Sequence, residues 1–230
     1  MESSIVVVIP CLNEEKTVAK VISDWKKALP SAEIIVYDNV SCDKTVEKAK
    51  EAKAEVKTCS VRGKGNVLRQ VFRDENADCL IIVDGDDTYG TECAEEMVSD
   101  IIHGGCGMSV GTRARAFDSE LSISHDFGNR LVRSMVNHLC KTDYSDIMSG
   151  CRAFSKRFYK SFPASCGGFE TETEMNIYAG MTGMKVAERP LSYRNRKKGS
   201  KVRTISDGAK IIFMILKERF RWKRYRKKKK

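Results

Sequence analysis

The chain has 230 residues, 41% hydrophobic and 31% charged, with 41 Lys and Arg against 31 Asp and Glu for a net charge of +10. That length fits one globular domain, or one domain with a small appendage; aliphatic runs such as Ile5-Val6-Val7-Val8-Ile9 exclude global disorder, and 16 Gly with 4 Pro exclude a collagen-like or other fibrous chain. The charge is concentrated at one end, because residues 217–230 hold ten basic residues and one acid, a net +9 that leaves +1 on residues 1–216.

In chain order, strands are predicted at Ile5–Ile9, Glu33–Tyr37, Glu55–Cys59 and Cys79–Val83, separated by helices over about Glu14–Ala28, Asp43–Ala52 and Gly65–Asn76. Short aliphatic runs alternating with helical patterns indicate βαβ units and a mostly parallel sheet. Past Gly105 the pattern predicts a strand at Met108–Val110, a helix at His125–Cys140, a strand at Gly150–Phe154, a helix at Glu170–Ala179 and the start of a last strand at Lys185–Ala187. Ile205–Arg226 reads as a helix with a mixed face, and low complexity is confined to Lys227–Lys230.

Nine cysteines, odd in number, scattered and never spaced C-x-x-C, read as reduced, mostly packing thiols of a cytosolic protein. Pro10 breaks the first apolar run, so no signal peptide is read there, and the longest apolar candidate, the six residues Ile211–Leu216, is far short of the roughly 20 that a spanning helix needs. His103, His125 and His138 lack metal-ligand spacing, and Trp25 reads as a packed helix residue.

Parallel sheets bind ligands at the carboxyl ends of their strands. The polar residues fall there: Asn13 and Glu14 after the first strand, Asp38 and Asn39 after the second, Arg62 and Lys64 after the third, and Asp84, Asp86 and Asp87 after the fourth. Asp84-Gly85-Asp86 places two carboxylates after a buried strand, where both can face one divalent cation; hard oxygen ligands suit Mg2+ or Mn2+. An acidic turn is the plainer reading of these three residues taken alone. Arg62-Gly63-Lys64-Gly65-Asn66 opens a helix with two glycines and two cations, a setting that favours phosphate, although it is not a P-loop and by itself equals an ordinary solvated turn.

Taken in order, Val8-Ile9-Pro10-Cys11-Leu12-Asn13-Glu14-Glu15, Ile34-Ile35-Val36-Tyr37-Asp38-Asn39, Arg62-Gly63-Lys64-Gly65, Asp84-Gly85-Asp86-Asp87, Gly111-Thr112-Arg113, Gly128-Asn129-Arg130, Ser149-Gly150-Cys151-Arg152 and Gly168-Phe169-Glu170-Thr171-Glu172 resemble a family-2 glycosyltransferase of the dolichol-phosphate mannose synthase-like branch. The match covers about residues 4–208. It implies an α/β, GT-A fold: a Rossmann-like, mostly parallel sheet flanked by helices, here with a C-terminal basic amphipathic helix. It implies a catalytic domain over 1–204, with a nucleotide-sugar half at about 1–105 and an acceptor half at about 106–204, followed by the helix and tail at 205–230.

By position, the resemblance implies that Pro10, Leu12, Asn13 and Glu14 hold the nucleotide with Asp38 and Asn39, that Asp84 and Gly85 lie at the ribose and metal, and that Asp86 is the direct metal ligand. Val40 and Asn39 depart from the family's second motif, so uridine and guanosine both stay open as the base. Lys64, Arg194 and Lys201 are further phosphate candidates, the last two in a basic segment after the final strand. Arg113 and Arg130, with Ser134 one helical turn beyond Arg130, are candidates for an acceptor-phosphate site, against the plainer reading that each Arg pairs with a surface acid. Glu170, Glu172 and Glu174 are candidates for a general base, should the acceptor be a hydroxyl.

The expectation is an inverting, metal-dependent glycosyltransferase moving a hexose from a nucleotide-diphosphate sugar, preferably to a polyprenyl phosphate. Arg113 and Arg130 would hold the acceptor charge, and the enzyme would sit peripherally at the cytosolic face of a membrane. A glycan or other hydroxyl acceptor is the alternative. A nucleotidyltransferase is disfavoured because Pro10-Cys11-Leu12-Asn13-Glu14 stands where a Gly-rich loop is needed. A noncatalytic protein using Phe220, Trp222 and Tyr225 in the tail on nucleic acid or lipid is weaker still.

Overall fold

The computed structural model describes residues 3–113, 123–194 and 210–219, and of 123–128 the backbone alone. The first half alternates β1 (Ile5–Cys11), α1 (Val18–Ala28), β2 (Glu33–Asp38), α2 (Thr45–Glu51), β3 (Glu55–Thr58), α3 (Lys64–Asp74) and β4 (Cys79–Ile82). The second half runs α4 (Ala94–Ile102), β5 (Met108–Arg113), α5 (Ile123–Cys140), β6 (Arg152–Ser155), α6 (Lys156–Ser161), α7 (Glu170–Thr182) and β7 (Val186–Leu191). Residues 210–219 form a further helix, α8.

The strands make one sheet in the order β3-β2-β1-β4-β6-β5-β7. β1, β2, β3 and β4 are mutually parallel, as are β5 and β7, while β6 runs antiparallel to both β4 and β5. Two covered faces explain why the central strands are continuously aliphatic. Val7, Ile9, Val36 and Ile81 pack with Val18, Ile22 and Trp25 of α1 and Met97 of α4. Val6, Val8, Ile35 and Leu80 pack on the other face with Leu68 and Val71 of α3, Phe158 of α6 and Met175 of α7. A one-residue slip would exchange the two sets and force both layers to repack. A third cluster joins Val132 and Val136 of α5, Ile177 of α7, and Ile211, Met214 and Ile215 of α8.

The predicted strands and long helices are present with shifted ends, and α4 and α6 are additional. α1 starts at Val18 rather than near Glu14, because residues 14–17 form a turn in which the Glu14 carbonyl accepts the N–H groups of Thr17 and Val18, both at 3.0 Å. β5 and β7 run further than predicted because they pair with one another from Met108↔Val186 to Arg113↔Leu191. α6 is a six-residue helix whose Ser155 side chain accepts the Phe158 N–H at 3.2 Å. All nine cysteines are free thiols, six of them buried. Among the described residues no helix is long and apolar enough to cross a membrane.

Candidate active site

The carboxyl ends of β1 and β2 are stitched together through their loops. Asn13 takes the left-handed conformation (φ 57) and its Oδ1 accepts the Cys42 N–H at 2.8 Å, while the Ser41 hydroxyl accepts the Asn13 N–H at 2.9 Å. Thr45 Oγ1 accepts the Glu14 N–H at 2.8 Å. Pro10 and Leu12 flank Cys11 and are half-buried. Asp38 is buried at the end of β2; Oδ2 accepts the Ser41 N–H at 3.1 Å, and Oδ1 is buried with no hydrogen-bond partner among the described residues.

Asn39 turns inward. Its Nδ2 donates to the carbonyls of Cys59 and Val61, both at 2.9 Å, and its Oδ1 accepts the Gly63 N–H at 2.8 Å, so the side chain shapes the loop between β3 and α3. Val40, the departure noted in the second motif, is left-handed (φ 62) and exposed, which costs a β-branched residue on the order of 1–3 kcal/mol.

Lys64, the first residue of α3, is the hub of the site. Its Nζ donates to Asp84 Oδ1 and to Glu172 Oε1, each at 2.5 Å, tying the start of α3, the residues after β4 and the start of α7. Burial alone would favour the neutral amine, but the Asp84 and Glu172 charges outweigh it and raise the Lys64 pKa. Burial likewise pushes Glu172 up, and Lys64 opposes that shift without cancelling it.

Close backbone approach makes this junction possible. A methyl group on Gly65 would stand 2.4 Å from the Cys166 carbonyl oxygen, and one on Gly150 would stand 2.1 Å from Asp84 Oδ2. Gly85 is confined in the same way by Cys11 Sγ at 2.6 Å.

Asp86 Oδ1 accepts the Thr88 hydroxyl at 2.7 Å and the Thr88 N–H at 3.3 Å. Asp87 is left-handed (φ 60) and pairs with Lys20 at 2.8 Å and Arg194 at 3.0 Å, which makes it a tie between α1 and the segment after β7. Arg194 also donates its backbone N–H to the Thr88 carbonyl at 2.8 Å. Lys201 lies outside the described residues.

Among the described residues no group of three or more His, Cys, Asp or Glu is arranged to hold a metal ion. The donors after β4 are the carboxylate oxygens of Asp84 and Asp86, with the Lys64 ammonium already against one Asp84 oxygen. That donor set fits a hard divalent cation of the Mg2+ or Mn2+ kind, which takes one or two protein carboxylates and completes its shell from phosphates and water.

On the other side of β6 stands Arg113. Its Nε and Nη2 donate to Asp146 Oδ2 and Oδ1 at 2.7 and 2.8 Å, a bidentate pair, and the guanidinium lies 5.6 Å from the centre of the Tyr193 ring. Burial pushes Asp146 up, but the Arg113 hydrogen bond and charge prevail and hold the carboxyl below the usual range. Arg130 and Ser134 are both exposed on α5, one turn apart.

The three glutamates at the start of α7 diverge. Glu170 Oε1 accepts the Gly168 N–H at 3.3 Å, Glu172 meets Lys64, and Glu174 Oε2 accepts the N–H groups of Ser165 and Cys166 at 3.3 and 3.2 Å.

Asp146 has no place in the sequence motifs, and the contacts made by Tyr89 and Arg152, both of which stand in such motifs, are not legible from them. Tyr89 accepts the Gly150 N–H at 2.7 Å and packs edge-on against Tyr193. For Asp146 and Tyr89 the signal lies only in the tertiary fold, which joins Asp146 to Arg113, Tyr89 to Gly150 and Tyr89 to Tyr193. Arg152 is fully buried and donates to the carbonyls of Ser149 (2.8 Å) and Ile147 (2.9 Å).

The family model for glycosyl transferase family 2 matches residues 6–162. The chain is a family 2 glycosyltransferase. It is 32% identical over 220 residues to the glycosyltransferase AglJ of Haloferax volcanii, covering 94% of this chain and 72% of that protein. It is 25% identical to the dolichyl-phosphate hexose transferase of the same organism, covering 94% and 95%. Among solved structures it matches glucosyl-3-phosphoglycerate synthase of Mycobacterium tuberculosis, in complex with Mn2+, uridine diphosphate and glucosyl-3-phosphoglycerate, with a TM-score of 0.78 at 20% identity over 94% of this chain and 80% of that one. This glycosyltransferase has the GT-A fold, with the antiparallel β6 inserted beside β4.

Proposed function

We propose that this glycosyltransferase moves a hexose from a nucleotide-diphosphate sugar to a polyprenyl phosphate, with inversion at the anomeric carbon. The observation that carries the reading is the joining of Asp84, Lys64 and Glu172 beside Asp86, with Arg113 beyond the neighbouring strand. In this reading residues of about 1–105 bind the donor, those of about 106–204 bind the acceptor, and 205–230 follow as a separate helix and tail.

Pro10, Leu12, Asn13, Glu14 and Asp38 frame the nucleotide, and Asn39 acts through the loop that ends at Gly63. Asp86 and Asp84 hold a divalent cation, which when bound supplies positive charge to the diphosphate leaving group. Lys64 holds Asp84 and Glu172 side by side through its ammonium, and Arg194 and Lys201 add positive charge near the diphosphate. Arg113 and Arg130 attract the acceptor phosphate, whose oxygen attacks from the face opposite the leaving group.

A phosphate monoester is already ionised at neutral pH and needs neutralisation rather than deprotonation. The commitment of Glu172 to Lys64 and of Glu174 to the Ser165–Cys166 loop favours such an acceptor. The similarity to a dolichyl-phosphate hexose transferase supports the same choice. Glu170, half-buried at the start of α7, keeps a hydroxyl acceptor as the second reading.

The outer face of α8 supports peripheral contact with an anionic membrane: Phe213 and Leu216 are exposed while Ile211, Met214 and Ile215 pack inward, and Lys210, Lys217 and Arg219 are exposed beside them. The test is transfer from a panel of UDP- and GDP-hexoses with Mn2+ or Mg2+ to polyprenyl phosphate. Glu170→Gln should leave it intact, and loss of most turnover in that variant would move the acceptor to a hydroxyl.

A further inference from the structure

β6 enters the sheet against its neighbours, so its amino end lies between the carboxyl ends of β4 and β5. The register Ile82↔Arg152 continues to place Gly150 against Asp84, and Val110↔Arg152 sends β5 toward Arg113. Residues 146–150, which lead into β6, therefore touch both charged groups: Asp146 grips Arg113, and Gly150 leaves the space that Asp84 Oδ2 occupies.

What holds this turn is a buried cation. Arg152 donates to the carbonyls of Ser149 and Ile147, and Asn176 of α7 donates to the same Ile147 carbonyl at 3.0 Å and to the Glu172 carbonyl at 2.8 Å. The Ser149 hydroxyl donates to the Gly111 carbonyl at 2.5 Å, closing the turn onto β5. Among the described residues Arg152 forms no ion pair with a carboxylate, and its third nitrogen faces Met108 Sδ at 3.4 Å. Burying a charge costs desolvation that hydrogen bonds to carbonyls offset only in part.

We propose that Arg152 is a positioning residue that, with Asn176, sets the turn 146–150 and thereby fixes the donor-side Asp84 relative to the acceptor-side Arg113. The proposal rests on the transferase reading only for what Asp84 and Arg113 touch; the turn itself is independent of it.

The experiment uses the full chain with Arg152→Met, Arg152→Lys and Asn176→Ala. Sugar transfer from UDP- and GDP-hexoses to polyprenyl phosphate is resolved into kcat and KM, and the Arg113 Nε–H resonance is followed by 15N NMR, assigned by Arg113→Lys. The expected result is a fall in kcat of roughly 10–100-fold for Arg152→Met and Asn176→Ala, the range for loss of a supporting contact. A shifted Arg113 resonance, and partial recovery of both readouts in Arg152→Lys, are expected with it. Unchanged kcat, or a loss that only tracks the folded fraction while the Arg113 resonance stays put, overturns the proposal. If Arg152→Met does not fold, Asn176→Ala decides by the same two readouts. If the wild type transfers nothing to polyprenyl phosphate, the acceptor reading fails and the resonance alone still decides the turn.

Discussion

Lys64 sets the charge of the site, because one ammonium serves two carboxylates that would otherwise repel each other. Lys64→Met leaves Asp84 and Glu172 without their shared cation and should cost about 3–5 kcal/mol in urea unfolding, the range for breaking a buried pair. Glu172→Gln in the same background should recover part of that loss, since one negative charge goes. Asp86→Asn should instead leave stability near wild type and lower transfer by about 10^2–10^3-fold, as for loss of one charge-stabilising group. Asp146 gives a pH prediction. Its folded pKa is depressed, so its stabilisation is present above the unfolded value of about 3.9 and is lost as pH falls through the folded value. Asp146→Asn should cost roughly 2–3 kcal/mol at pH 7, below the fully buried range because Arg113 is 29% exposed, and the difference should close as the pH falls below about 4.

At the level of elements, the direction of β6 is what the amino-acid pattern does not disclose. A short apolar strand reads the same in either direction, and only its pairing with β4 and β5 shows that it runs antiparallel. The proposed donor side is legible because its residues follow directly on strands whose aliphatic runs are unmistakable: Asn13, Asp38 and Asp84 lie at the carboxyl ends of β1, β2 and β4. Lys64 was legible as a helix-start cation, but its partner Glu172 is 108 residues away and nothing local links them. The resemblance implies that Asn39 faces the nucleotide, whereas its hydrogen bonds run to the carbonyls and N–H of the β3–α3 loop. α4 has a weak sequence signal because its buried stripe of Ala94, Met97 and Ile101 is short and shares the helix with Asp100, whose charge Arg189 meets from β7.

Two glycines separate site from scaffold. Gly150→Ala forces Asp84 or the turn to move and should lower turnover by about 10^2-fold, the cost of a displacement near 1 Å in a reacting array. Gly183, left-handed at the end of α7 with open space around it, should cost about 1 kcal/mol of stability as Ala and leave turnover unchanged. Thermal unfolding with parallel rate measurements checks both.

Over the whole molecule, the net charge of +10 belongs almost wholly to residues 217–230, and α8 leads into that segment with its apolar outer residues exposed. Flotation with vesicles containing anionic lipid should therefore weaken as salt rises, and Phe213→Ser with Leu216→Ser should weaken it further without altering the fold. Binding unchanged by either would remove α8 from the contact.

Incubation of the full chain with radiolabelled nucleotide hexoses, Mn2+ and polyprenyl phosphate, followed by organic extraction, should carry label into the lipid phase as an inverted glycosyl phosphate, and Asp86→Asn should lower that label by about 10^2–10^3-fold. Label found only in free sugar or in a glycan, or lipid label undiminished in Asp86→Asn, would contradict the assignment.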